Sequence, residues 1–187
     1  EESEELKLHP LSYHSARLAE LREVAIDYGS GEICSGITFT LTRGGRVALR
    51  GSNGSGKSSL IKLLLGGDVP YSGALYIAPG LKISYVTQDA SSLSGRLDDY
   101  AELFAVDRTL LRSILRKLDF PREAFSRELS SYSAGQKKKV ALARSLCEEA
   151  HLYIWDEPLN YIDLLSRIQI EGLIAQYQPT LLFVEHD

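Results

Sequence analysis

The sequence has no methionine, only two cysteines and a single tryptophan among its 187 residues. Without methionine there is no initiator, so the chain reads as a piece of a longer protein, its acidic start fitting a domain that follows an interdomain linker. Cys34 and Cys147 stand far apart and match no metal-ligand spacing. They read as reduced thiols in a cytoplasmic compartment, not as a disulfide framework. No apolar run approaches the roughly 18 residues of a membrane span, so direct membrane insertion is not expected. The opening "EESEELKLHP" is acidic where a secretory signal would be basic and then apolar. Excess positive charge is missing too. A net charge of −4 argues against gripping nucleic acid by bulk charge. Internal repeats and low-complexity tracts are also absent.

What remains is an ordinary globular composition, 44% hydrophobic and 25% charged. That supports one domain with a real core and room for a small subdomain. Residues 1–20 read as a linker plus an edge strand. From Leu21, "LREVAIDY" suggests a strand, and "GITFTLTRGGRVALRG" suggests two more, turning at Gly44-Gly45. "ALYIA" and "LKISYV", separated by a Pro-Gly pair, suggest a hairpin. Residues from about 89 to 140 look mostly helical with charged faces, as an inserted subdomain. A helix is expected over about 133–149, a strand at "LYIW", a helix over about 163–177 and a buried strand at "TLLFV". Continuous apolar strands alternating with helices imply an α/β fold with a parallel core.

Two motifs carry chemistry. "GSNGSGKSS" (51–59) matches G-x-x-x-x-G-K-[ST] at every fixed position, after an apolar strand and at the start of an apolar helix. Gly51, Gly54 and Gly56 allow the backbone to wrap tightly. The backbone of Ser52, Asn53, Ser55 and Ser59 completes a phosphate cradle at a helix N-terminus. Lys57 can reach the β- and γ-phosphates, and Ser58 can ligate Mg²⁺. The second motif is "YIWDEPLNYID" (153–163), an apolar strand running into two adjacent carboxylates. Asp156 suits the Mg²⁺ shell and Glu157 suits a general base toward water. Lys137–Lys139 read as a solvated helix face, Trp155 as core packing.

In this order the motifs resemble those of the ABC ATPase family over residues 21–187. "YSAGQKKKVALARSL" (132–146) is similar to its signature sequence L-S-G-G-Q, with Ser133, Gly135 and Gln136 matching, Tyr132 replacing leucine and Ala134 replacing glycine. The resemblance assigns further roles. Gln88 becomes the glutamine at the metal and the water, and His186 the switch histidine. Tyr28, 23 residues before the phosphate loop, becomes the adenine-stacking aromatic, and Asp163 the aspartate after the catalytic glutamate. It implies the P-loop NTPase fold of an ABC nucleotide-binding domain, with an antiparallel β part and a helical subdomain. It implies ATP and Mg²⁺ as cofactors and an ATPase working as a two-domain sandwich. In that sandwich the loop of one domain and the signature of the other enclose each ATP, and Ala134 places a Cβ near the incoming phosphate. "EPLNYID", with Asn160, is closest to the soluble ABC-F branch, especially the C-terminal domain of its antibiotic-resistance members. Ribosome protection would follow, with the ribosome reached mostly through regions outside this chain. Two alternatives stand beside it: the ATPase subunit of a membrane transporter, and a binding-only domain.

Overall fold

A computed structural model describes residues 6–52 and 54–186, His186 by its backbone only. Two sheets organise it. Strand β1 (Arg17–Asp27) lies between β2 (Glu32–Thr42) and β4 (Tyr71–Ile77) in an antiparallel sheet. The other sheet is wholly parallel, in the order β3 (Arg46–Gly51), β7 (Leu181–His186), β6 (Leu152–Asp156), β5 (Ile83–Val86). The expected mixture of directions is therefore a mixture of sheets.

The middle strands of the parallel sheet, β6 and β7, are covered on both faces, which explains their apolar runs, while β3 at one edge stays partly exposed. All of β6 is buried. Its Leu152 and Ile154 join one apolar cluster with β1 and with α1 (Lys57–Leu64). Its Tyr153 and Trp155 join a second cluster, built by α2 (Leu97–Leu103), α3 (Arg108–Lys117), α4 (Ala134–Cys147) and α5 (Leu164–Tyr177). Trp155 is core, as expected, and its Nε1 donates to Ser145 Oγ at 2.9 Å. Between α3 and α4 the chain makes two 3₁₀ turns, at 122–126 and 129–131.

Three readings of the sequence need correction. "ALYIA" and "LKISYV" form no hairpin: β4 pairs with β1, and β5 pairs in parallel with β6. The Pro79-Gly80 step carries the chain from one sheet to the other. Short runs around a turn signal look alike whether they pair with each other or with distant strands. No edge strand forms in residues 6–16. That segment instead packs on the body through Leu8 and Tyr13, whose hydroxyl donates to Pro79 O at 2.6 Å. β1 starts at Arg17, so a boundary at residue 20 falls inside the central strand of its sheet.

The third correction concerns the lysines. Lys138 is 2% exposed and Lys139 is also buried. The Lys138 ammonium donates to Thr87 O at 3.0 Å, Gln88 O at 3.1 Å and Asp156 O at 3.0 Å. Three donors meet three carbonyls, so its hydrogen-bonding capacity is filled. Burial still pulls its pKa below the usual lysine value, against the opposing charges of Asp156, Glu157 and Asp89. Lys139 pairs with Asp163 at 2.9 Å, and Lys137 donates to Ser91 O at 3.0 Å. The sequence did hold a signal. Lys138 shares a helix face with Ala141, Leu142 and Ser145, all buried.

Replacing Lys138 by methionine keeps the volume but strands three carbonyls. Urea unfolding should show a loss of about 3 kcal/mol. An unchanged midpoint would mean that the lysine holds nothing.

Candidate functional site

Parallel strands present their carboxyl ends along one edge, and that edge is where ligands bind in open α/β sheets. Here Gly51 at the end of β3 stands in register with His186 on β7, and Asp156 at the end of β6 with Val184. One sheet edge thus carries the glycine-rich loop and both carboxylates.

The loop runs from Gly51 into α1. Gly56, at φ 85°, takes the left-handed turn that starts the helix, and no side chain caps it. The first N–H groups of α1 therefore find no side-chain acceptor at the cap position, which suits an anion. A Cβ on Gly51 would lie 2.6 Å from Ser55 Oγ, so a side chain here would push the serine hydroxyl aside. Ser55 Oγ is buried with no hydrogen-bond partner among the described residues. Such orphans are costly, and a phosphate oxygen would satisfy this one. The Lys57 ammonium folds back onto Gly51 O and approaches Glu185 O at 3.4 Å. Ser58 is exposed at the first turn, and Tyr28 is half-exposed beside it, its hydroxyl donating to Ser59 Oγ at 2.9 Å. Asn53 and the side chain of His186 lie outside the described residues.

Asp156 and Glu157 are both 7% exposed. Burial is the main cause that raises the Asp156 pKa, and the neighbouring Glu157 charge adds to it. Lys138 and Lys57 pull the other way. The strand geometry separates the two side chains. Glu157 adopts φ 47°, a conformation that non-glycine residues rarely hold, while its N–H donates to Val184 O at 2.8 Å. Glu157 Oε2 accepts from Gln88 Nε2 at 3.0 Å and from Asn160 Nδ2 at 2.7 Å. The structure thus brings together Gln88 and Glu157, two of the candidates in the sequence reading. It adds Asn160, which that reading treats only as a mark of kinship.

The signature residues sit elsewhere. Ser133 caps α4, accepting from Gln136 N at 3.1 Å, while Gln136 Oε1 accepts from Ser133 N at 3.0 Å. Ser133 and Ala134 are exposed. A Cβ on Gly135 would lie 2.6 Å from Tyr161 O, so this glycine lets α4 meet the loop after the carboxylates. Asp163 caps α5 through Ser166 N at 3.0 Å and pairs with Lys139. The Lys139 hydrogen bond first, then the Ser166 N–H, hold its carboxyl well below the usual range. Among the described residues, none of these five hydrogen-bonds to the phosphate loop of its own chain. No cluster of potential metal-ligating His, Cys, Asp and Glu side chains forms among them either, so any Mg²⁺ would have to share its shell with phosphate and water. A cavity of about 1060 Å³ lies by Leu6, Phe104 and Cys147 and is lined by no site residue. Burial raises the Cys147 thiol pKa to about 12, and Cys34 is raised as well, so both thiols are free and inert.

Comparison with known proteins agrees with this geometry. The sequence profile of the ABC transporter family matches residues 34–160. The ribosome protection protein VmlR of Bacillus subtilis is 32% identical over 91% of this chain, and the ATP-binding protein Uup of Caulobacter vibrioides is 30% identical over 91%. The chain spans 32% and 30% of those two proteins, about a third of each. An ATP-binding subunit of an ABC transporter superposes with TM-score 0.73 at 25% identity, covering 90% of this chain and 79% of that one. A bacterial Atm1-family ABC exporter with ATP bound superposes with TM-score 0.78 over 97% of this chain and 36% of its own. At 19% identity that likeness concerns the fold alone. No helix among the described residues is long and apolar enough to cross a membrane. The chain belongs to the ABC transporter family, as an ATP-binding domain whose curated relatives VmlR and Uup are ABC-F proteins.

Proposed function

We propose that the chain binds ATP with Mg²⁺ and contributes to ATP hydrolysis as one member of a two-domain sandwich, within an ABC-F protein that acts on the ribosome. The observation that carries the hydrolytic part is the carboxylate of Glu157, buried at the sheet edge and held by two amides. On this reading Gly51 to Ser59 wrap the phosphates, with Ser55 Oγ and Lys57 Nζ as side-chain donors. Tyr28 stacks on the base. Ser58 and Asp156, with the Gln88 side-chain oxygen, hold Mg²⁺, which when bound neutralises charge on the β- and γ-phosphates. Glu157 accepts a proton from water as the water oxygen attacks the γ-phosphorus. The bond from that phosphorus to the bridging oxygen breaks, and ADP carries the electron pair away. Family resemblance would give His186, at the end of β7, the switch role toward the γ-phosphate.

The sandwich explains the signature helix. Ser133 and Ala134 are exposed at an N-terminus that, among the described residues, makes no hydrogen bond to the phosphate loop of its own chain. Opposite a second ABC domain, that N-terminus faces the partner's nucleotide, with Gly135, Gln136 and Asp163 shaping the surface. On this reading the domain begins with β1 at Arg17 rather than at residue 21, and its helical subdomain covers about 89–140. The ribosomal role, with antibiotic resistance through it, draws support from the ribosome protection protein among the relatives and from Asn160 in "EPLNYID". A role as a transporter's ATPase subunit draws support from the 25%-identical transporter subunit.

Lys57→Ala should weaken nucleotide binding by about tenfold or more in a titration with a fluorescent ATP analogue. Unchanged affinity would remove the loop from the site. Glu157→Gln should retain ATP and lower turnover by about a hundredfold. In the longest native polypeptide that carries this chain, the same variant should co-sediment with ribosomes when ATP is present. Loss of turnover without ribosome association would favour the transporter reading. For the chain alone, the ATPase rate should climb more than linearly with protein concentration. Strict proportionality would contradict a shared site.

A further inference from the structure

Asn160 stands three residues after Glu157, and its contact is the shorter of the two that hold the glutamate. Its Nδ2 lies 2.7 Å from Glu157 Oε2, against 3.0 Å for Gln88 Nε2. Both amides donate to the same carboxylate oxygen. Glu157 Oε1 has no hydrogen-bond partner among the described residues. The loop that sets this geometry is stiff. Glu157 N donates to Val184 O at 2.8 Å, Pro158 restricts the next φ, and Asn160 N closes the turn onto Glu157 O at 3.3 Å. Glu157 at φ 47° and Tyr161 at φ 65° bracket the turn with two left-handed residues. Strain of this kind persists where surrounding contacts over-determine it.

We propose that Asn160 is a positioning residue for hydrolysis. With Gln88 it anchors Glu157 Oε2, so that Oε1 is the oxygen that takes the proton from water. The inference rests on the reading of Glu157 as general base. It adds that the side chain at 160 sets the aim of that carboxylate. The chemistry of the side chain matters. The amide nitrogen of asparagine lies two bonds beyond Cβ and the hydroxyl of serine one, so serine falls short. Aspartate has the right length but presents a charge that repels the carboxylate. Asn160 is itself exposed, so its replacement opens no cavity.

The test uses the longest native polypeptide that carries this chain, with Asn160→Ser and Asn160→Asp compared with wild type. Melting temperature, ATP affinity, KM and kcat are measured for each. Asn160→Ser should lower kcat by about tenfold while affinity and melting temperature hold. Asn160→Asp should lower kcat at least as far, because a repelling charge replaces the donor at unchanged length. Wild-type kcat in both variants would overturn the inference alone. A higher KM at unchanged kcat would do the same. Absence of ATP turnover in the wild type would overturn the reading of Glu157 and the inference with it.

Discussion

A single buried ammonium organises the functional edge of this domain. Lys138 reaches from α4 and binds the carbonyls of Thr87, Gln88 and Asp156, tying the end of β5 to the end of β6. Without such a donor, the chain ends that carry Gln88 and the two carboxylates would leave buried acceptors unmet. The positive charge also lies beneath two adjacent acids that would otherwise repel each other in a poorly hydrated place. The helix that supplies it is the signature helix. The element suited to a partner's nucleotide is thereby fixed to the residues suited to water and metal in its own chain.

The two helix N-termini that matter are finished in opposite ways. The start of α1 has glycine at its cap, no side-chain acceptor there, and a buried serine hydroxyl without a partner beside it. The start of α4 is closed by Ser133 and Gln136 on each other and lies open to solvent. The first is a cradle waiting for an anion. The second is a rigid, preformed face. This contrast is the physical support for the proposal that the domain contributes two half-sites to a sandwich.

Much of this was legible in the sequence because fixed spacing encodes local geometry. The phosphate loop, the strand that ends in Asp156, and the helices starting near Ser133 and Asp163 all follow from turn, cap and periodicity rules. What could not be read depends on distant partners. β4 and β5 flank a Pro-Gly step and looked paired, yet each has its partner far away in sequence. Lys138 looked solvated because lysine usually is, and only its three buried face-mates hinted otherwise. Asn160 was visible as a token of kinship. Its hold on Glu157 requires the left-handed turn at Glu157, which no residue type there announces.

The central claim is that the hydrolytic edge is assembled before nucleotide arrives, held by Lys138 from below and by Gln88 and Asn160 from the side. A crystal structure with Mg²⁺ and a non-hydrolysable ATP analogue tests it most directly. The account predicts phosphate oxygens at Ser55 Oγ and Lys57 Nζ, a water on Glu157 Oε1, and unbroken contacts from Gln88 and Asn160 to Oε2. A structure in which Glu157 has left Asn160 and turned away from the γ-phosphate would contradict it.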